Sequence, residues 1–301
     1  MPSFISSSRA ALGESGVLRS IATAAIVALG FYAMLIALWS PDIRSGQDQE
    51  SDVAIAVERF LYDGPVPYAA IVGSSQAEHI PMSALGAGVA NLGLAGESPL
   101  VGLEIIARSG RIPRRLYIEM NNIGQAPDAA FIDAIFAEPR YTLKRFVKAL
   151  RTTYQPANVV ISLLRRAARG RDEVYYPKVA DEPLHNALLA HRQGLLAEAL
   201  DAAVLERNLA EMKRFSAEFA TGATELVFFE MPIDPALEQS PAVVAVRRAA
   251  HAAFPRGAAC WNDDKAPSGL AATDGIHLDS DTAAGFWAEL AKTACRRPQP
   301  E

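Results

Sequence analysis

Histidine is scarce in this chain, with five among 301 residues, which argues against a multi-histidine metal site. Positive charge is also in short supply. The formal net charge is −5 and the basic residues are scattered, so nothing supports a nucleic-acid partner. No internal repeat and no long low-complexity tract interrupts the chain. What remains is 301 residues, 50% hydrophobic, enough for one sizeable α/β domain and a segment with a separate job.

The most informative absence is local. From Ile21 to Trp39 there is no charged residue (IATAAIVALGFYAMLIALW). That is the length of apolar chain a membrane-spanning helix needs, and Trp39 stands at its end, where an interfacial aromatic belongs. Arg9 and Arg19 precede it, opposed by Glu14. The positive-inside rule then puts residues 1–19 in the cytoplasm, residues 20–40 across the inner (plasma) membrane as a single pass, and the rest in the periplasm or outside the cell. A cleaved signal peptide is the rival reading, but its apolar core is shorter and Leu38-Trp39-Ser40-Pro41 lacks the small residues of a cleavage site. Both cysteines, Cys260 and Cys295, fall on the exported side, where a disulfide between them is permitted. Two small core residues are an equal reading of the pair.

Past the anchor, residues 41–66 read as a polar linker followed by a short helix over 53–62, and residues 67–301 as the main domain. Tyr68-Ala69-Ala70-Ile71-Val72 is a continuous apolar run that stops at Gly73, the signature of a buried parallel strand. Further strands are expected near 88–92, at 116–120 and at 225–230, with helices over 100–109, 242–254 and 283–295. Strands alternating with helices predict a parallel sheet covered on its faces. Between about 128 and 220 the spacing turns helical, over 146–150, 159–168 and 195–219. This stretch reads as a helical insertion lying over or beside the sheet.

Chemistry gathers at the carboxyl ends of strands in such sheets. Acyl transfer needs a nucleophile, a base, a group to orient the base, and donors for the developing oxyanion. Gly73-Ser74-Ser75 offers a hydroxyl just after the first strand, and Asp274-Gly275-Ile276-His277 offers an imidazole with a carboxylate three residues before it. That spacing can bring Asp274 to His277 Nδ1 while Nε2 faces a serine. Alone, an Asp-x-x-His is equally a capping aspartate beside a surface histidine.

Four segments together resemble the blocks of the SGNH (GDSL-like) hydrolases. They are Gly73-Ser74-Ser75, Asn91-x-Gly-x-x-Gly96-Glu-Ser, Asn121-Asn122 after the third strand, and Asp274-Gly275-Ile276-His277. The resemblance runs from Tyr68 to Ala294, and it implies a three-layer α/β/α, flavodoxin-like domain. It further implies Ser75 as nucleophile, His277 as base and Asp274 as its orienter. The oxyanion hole would draw on the N–H groups of Ser75 and Gly96 and on an asparagine amide, Asn122 or Asn121. The implied activity is O-acyl, chiefly acetyl, ester hydrolysis or transfer on an envelope or exopolymer saccharide, without metal or organic cofactor. The membrane anchor suggests a partner protein that supplies acyl groups across the membrane. Two departures stand out: Gly-Ser-Ser replaces the usual Gly-Asp-Ser, and Glu119-Met120-Asn121-Asn122 replaces Gly-x-Asn-Asp. They leave Ser74 as a second candidate nucleophile. They also leave open a non-catalytic SGNH-like module that binds polymer or scaffolds a membrane complex, and an unrelated flavodoxin-like domain.

Other residues read as structural. Glu78 and His79 are expected at a solvated helix start, Glu97 and Ser98 at a helix cap, and His185, His191 and His251 at the surface. Arg108, Arg111, Arg114 and Arg115 form a basic patch that reads as a solvated face. Glu230-Met231-Pro232 closes a strand, and Asp263-Asp264 has no ligand set around it.

Overall fold

The computed structural model describes residues 8–170, 172–179, 181–198, 200–222, 224–256, 258–262 and 272–293, with side chains from residue 16 onward. Cys295 and the Asp263-Asp264 pair lie outside these. Four parallel strands, β1 (Ala69–Gly73), β2 (Val89–Gly93), β3 (Arg115–Glu119) and β4 (Glu225–Phe229), form one sheet in the order β2-β1-β3-β4. The expected strands are all present, with their ends moved by a residue or so.

Both faces of the sheet are covered, which explains why the strands read as continuous apolar runs rather than alternating ones. Ala70, Val72, Leu116, Ile118 and Phe228 pack on one side with helix α4 (Pro99–Ser109) and with α9 (Ala202–Thr221) and α10 (Pro241–Ala253). Ala69, Ile71, Tyr117, Val227 and Phe229 pack on the other side against Phe286, Trp287 and Leu290 of the last helix, α11 (Ser280–Leu290). Local capping sets the helix starts. Ser98 precedes Pro99 at the head of α4, Asp201 accepts from the N–H groups of Ala203 and Val204 in α9, and Asp279 caps α11.

Beyond β4, residues 260–262 continue the sheet edge, bonding Phe228 from both sides (Phe228 N to Cys260 O, 2.8 Å; Asn262 N to Phe228 O, 2.8 Å). Cys260 is in a disulfide.

The chain turns outward from β1 to β2 and then crosses back to place β3 on the other side of β1. This reversal opens a crevice at the carboxyl ends of β1 and β3. It is where the candidate residues collect.

Three expectations need correction. The helix expected over 195–219 is two helices: α8 (Glu182–Ala197) ends, and α9 restarts at Asp201. A capping aspartate outweighs the apolar spacing that runs through the break. The helical run expected over 146–150 is the end of α6 (Arg140–Phe146) followed by a 3-10 turn, Lys148–Leu150. The stretch expected as a linker, 41–50, is non-helical only to Asp48 and is not free. Ile43 and Ser45 are buried, Arg44 N donates to Asp172 Oδ2 at 3.0 Å, and Gln47 N donates to Asn158 Oδ1 at 2.9 Å.

The first helix, α1 (Ser8–Trp39), is longer than the charge-free run, and its Gly16–Trp39 portion is long and apolar enough to cross a membrane. The short helix expected over 53–62 begins earlier, as α2 (Gln49–Tyr62) capped by Asp48.

Candidate active site

β1 delivers the chain to the crevice with no room for a side chain at its last residue. A Cβ on Gly73 would lie 2.5 Å from Glu119 Oε2 and 2.6 Å from the Ala77 Cβ. The next residue, Ser74, turns inward and caps the one-turn helix α3 (Ser75–Glu78). Its Oγ bonds the Glu119 carboxylate at 2.9 Å and its N–H donates to Glu119 Oε2 at 2.8 Å. With both groups engaged and the residue buried, Ser74 does not face the crevice.

Ser75 does. Its Oγ lies 2.7 Å from His277 Nε2, and His277 Nδ1 lies 2.9 Å from Asp274 Oδ2. The loop that carries these residues follows the logic of its sequence. Asp274 Oδ1 accepts from the N–H groups of Ile276 (3.2 Å) and His277 (3.0 Å), so one carboxylate both shapes the turn and holds the imidazole. Gly275 allows this with φ +93°. A residue absent from the sequence expectations completes the group: Arg192 of α8 donates to Asp274 Oδ2 at 2.7 Å. Burial opposes ionisation of Asp274. The hydrogen bonds and charge of His277, with the hydrogen bond from Arg192, outweigh it and hold the carboxyl well below the usual carboxylate range.

The asparagines separate clearly. Asn121 is locked to the chain beyond β4, donating to Met231 O (2.9 Å) and accepting from Met231 N (2.7 Å). Asn122, just after β3, reaches across to the turn after β2: its amide donates to Glu97 O (3.2 Å) and to Gln125 Oε1 (2.6 Å), while Gln125 Nε2 bonds Gly96 O. Gly96 makes that turn with φ +81°. Asn91 ties β2 to the back of α3, donating to Ala77 O (2.9 Å) and Ile80 O (3.1 Å). Among the described residues, the N–H groups of Ser75 and Gly96 meet no acceptor.

Beside the triad lies a cleft of about 190 Å³, lined in part by Gln76, Asn122, Arg192, Ile233, Arg247 and Ile276. Gln76 Oε1 is buried without a hydrogen-bond partner. Arg247 is paired to Glu230 at 2.6 Å, so Glu230 helps line this cleft instead of merely closing a strand.

Several residues expected at the surface are not there. His79 is buried, stacked between Tyr176 (ring centroids 3.5 Å apart) and His277 (4.7 Å), and its Nδ1 bonds Leu278 O at 2.7 Å. Glu78 accepts from Tyr176 Oη at 3.1 Å. His185 is half-buried against the triad loop, near Thr273 O, and His251 lies 3.0 Å from Glu230 and packs tilted against Trp261 (ring centroids 4.2 Å apart). Ser98 caps its helix as expected. The arginine patch is largely spoken for. Arg108 pairs with Glu104 and Asp133, Arg111 donates to three backbone carbonyls at 63–65, and Arg115 pairs with Glu225. No group of three or more metal-ligating side chains occurs among the described residues.

Glu78 and His79 carry opposite pH signatures. Burial raises the Glu78 carboxyl to about 7 and lowers the His79 imidazole to about 4. Between about pH 4.5 and 7 the unfolded chain releases a proton from Glu78 that the folded chain keeps, so this residue makes stability fall as pH rises. Between about 4 and 6.5 the unfolded chain binds a proton at His79 that the folded chain refuses, so stability rises. Each slope integrates to roughly 3 kcal/mol, and they nearly cancel. Relative to wild type, Glu78→Gln is therefore expected to give thermal stability that rises more steeply between about pH 4.5 and 7, and His79→Phe stability that falls more steeply between about pH 4 and 6.5. Parallel melting curves for all three would contradict it.

No family model, curated protein or solved structure matches the chain.

Proposed function

We propose that this domain is a serine-dependent O-acyl esterase or acyltransferase of the SGNH type. The observation that carries the reading is the continuous Ser75–His277–Asp274 hydrogen-bond chain at the carboxyl edge of the sheet, with distances of 2.7 and 2.9 Å. Ser75 Oγ attacks the acyl carbonyl while His277 Nε2 takes its proton. Asp274 holds the imidazole in the tautomer with hydrogen on Nδ1 and balances the imidazolium charge. The tetrahedral oxyanion is met by the N–H groups of Ser75 and Gly96. Its collapse expels the alcohol, which recovers the proton from His277 and leaves an acyl-serine. Water, or a second hydroxyl, then attacks through the same base and frees the serine.

The cleft suits a hydroxylated substrate. Gln76 offers an unpartnered amide oxygen to a hydroxyl donor. With an apolar helix able to anchor the chain, an acetylated saccharide polymer of the envelope is the substrate class we favour, with a membrane protein as acyl donor if the reaction is transfer.

One observation favours a second reading. Both hydrogens of the Asn122 amide are already engaged, by Glu97 O and Gln125 Oε1, so the third oxyanion donor is occupied. A polymer-binding module without catalysis would have no need of it. The full-length chain in detergent, treated with a serine-reactive fluorophosphonate, separates the two. Labelling that maps to Ser75 and vanishes in Ser75→Ala supports the enzyme. A folded protein that takes no label at Ser75 supports the binding module.

A further inference from the structure

The helices α6 and α7 (Pro156–Arg169) are amphipathic, but they are mounted the wrong way round for a soluble domain. Several of their polar residues point inward. Asn158 is fully buried and donates to Thr152 O at 2.8 Å, Ser162 bonds Asp172 at 2.6 Å, and Arg165 donates to Ser45 Oγ and Gly46 O. Lys144 of α6 reaches in to the buried Glu58 at 2.7 Å. Apart from the buried Val159, most of their large apolar residues point out. Val160, Leu163 and Leu164 share one exposed face of α7, and Leu143, Phe146, Val147 and Leu150 are exposed along α6 and the turn after it, Phe146 at 77%. A soluble helix buries such a stripe.

These faces adjoin the anchor. Tyr32 Oη donates to Tyr154 O at 2.5 Å, Lys148 Nζ donates to Ser40 Oγ at 2.7 Å, and Ile36 is fully buried in a cluster with Ile43, Ile55, Tyr154 and Val159. The last two turns of α1 thus pack against the segment that joins α6 to α7. Arg19 is the last charge before the span. A hydrocarbon layer of about 30 Å takes about 20 residues of helix, which counted from Arg19 reaches Trp39. The turns that carry Tyr32 and Ile36 therefore lie within the outer leaflet, and the domain surface beside them meets lipid.

We infer that α6, α7 and the turn between Lys148 and Leu150 form a membrane-docking face. It is seated in the acyl–headgroup boundary of the bilayer that α1 crosses, with the exposed Arg140, Arg145 and Arg169 reaching anionic headgroups. The inference rests on reading α1 as a membrane span. Single spin labels at Phe146→Cys, Leu164→Cys, Ile26→Cys and Glu206→Cys of the full chain test it. The protein is reconstituted in phosphatidylcholine–phosphatidylglycerol vesicles, and collision with oxygen is compared with collision with a water-soluble nickel chelate. Positions 146 and 164 are solvent-exposed in the fold, so substitution there leaves packing intact. The oxygen-to-nickel ratio at 146 and 164 is expected about tenfold above that at 206, and nearer to that at 26. Lipid-like values at 26 with water-like values at 146 and 164 overturn the docking face and leave the span standing. Water-like values at 26 overturn both. Labels at 146 and 164 shielded from both reagents overturn lipid docking in favour of a protein cover.

Discussion

His277→Ala is expected to lower kcat for an activated acetyl ester by about 10⁴- to 10⁶-fold, with KM little changed. The imidazole is the base within hydrogen-bond reach of the Ser75 hydroxyl, and a serine without one is a poor nucleophile. Ser75→Ala should match it, because the two act as a unit and the losses do not add. Asp274→Asn should cost about 10⁴-fold by favouring the wrong tautomer. Arg192→Gln should cost less, since His277 and two backbone N–H groups still hold Asp274. Steady-state rates on variants with wild-type circular dichroism check the series. A His277→Ala protein within tenfold of wild type would remove His277 as the base.

The parts of this site that sequence made visible are those where backbone demands and chemistry coincide. Gly73 must be glycine because Glu119 and Ala77 crowd it, and the serines must follow it. Asp274 and His277 are close in the chain, so their spacing alone implies the contact. Arg192 and Gln125 were hidden for the opposite reason. Arg192 meets Asp274 across 82 positions, and nothing in the composition of α8 marks one arginine among its exposed residues. Glu119 left a trace that could have been read, since a carboxylate closing an otherwise apolar strand must find donors. His79 looks solvated in the sequence because one turn of helix gives no periodicity from which to tell a buried face from a wet one. The break at Asp201 was invisible because apolar spacing continues across it.

The second large effect concerns Glu119, which is wholly buried. Burial raises its pKa, and the hydrogen bonds from Ser74 and Ala77 oppose that rise. Its oxygens accept from Ser74 N–H (2.8 Å), Ser74 Oγ (2.9 Å) and Ala77 N–H (3.3 Å), so it fastens the loop that presents Ser75. Glu119→Ala strands those donors without water and leaves a cavity, at a cost of about 3–5 kcal/mol. Glu119→Gln keeps an acceptor for Ser74 N–H but turns an amide donor on its neighbours, and should cost less. Ser74→Ala removes one hydroxyl and should cost about 1 kcal/mol. Denaturant unfolding in micelles ranks the three. Equal and small losses would show that the carboxylate does not hold the loop.

The packing of Ile36 bears on where this protein can be cut. A boundary drawn at Ser40, where hydropathy falls, would remove the side chain that fills the space among Ile43, Ile55, Tyr154 and Val159, together with the hydroxyl bonded to Tyr154 O. That fragment would keep its triad but lose a wall of its smaller core, and Asn158 and Glu58, buried beside that wall, would be drawn toward water. A soluble form has to begin before Tyr32 and carry two apolar helical turns with it. Those turns span the chain's two parts, so solubility and integrity cannot be had from the same cut. The remedy lies in recoding the outward positions of those turns, Met34, Leu35 and Leu38, while Tyr32 and Ile36 are left in place.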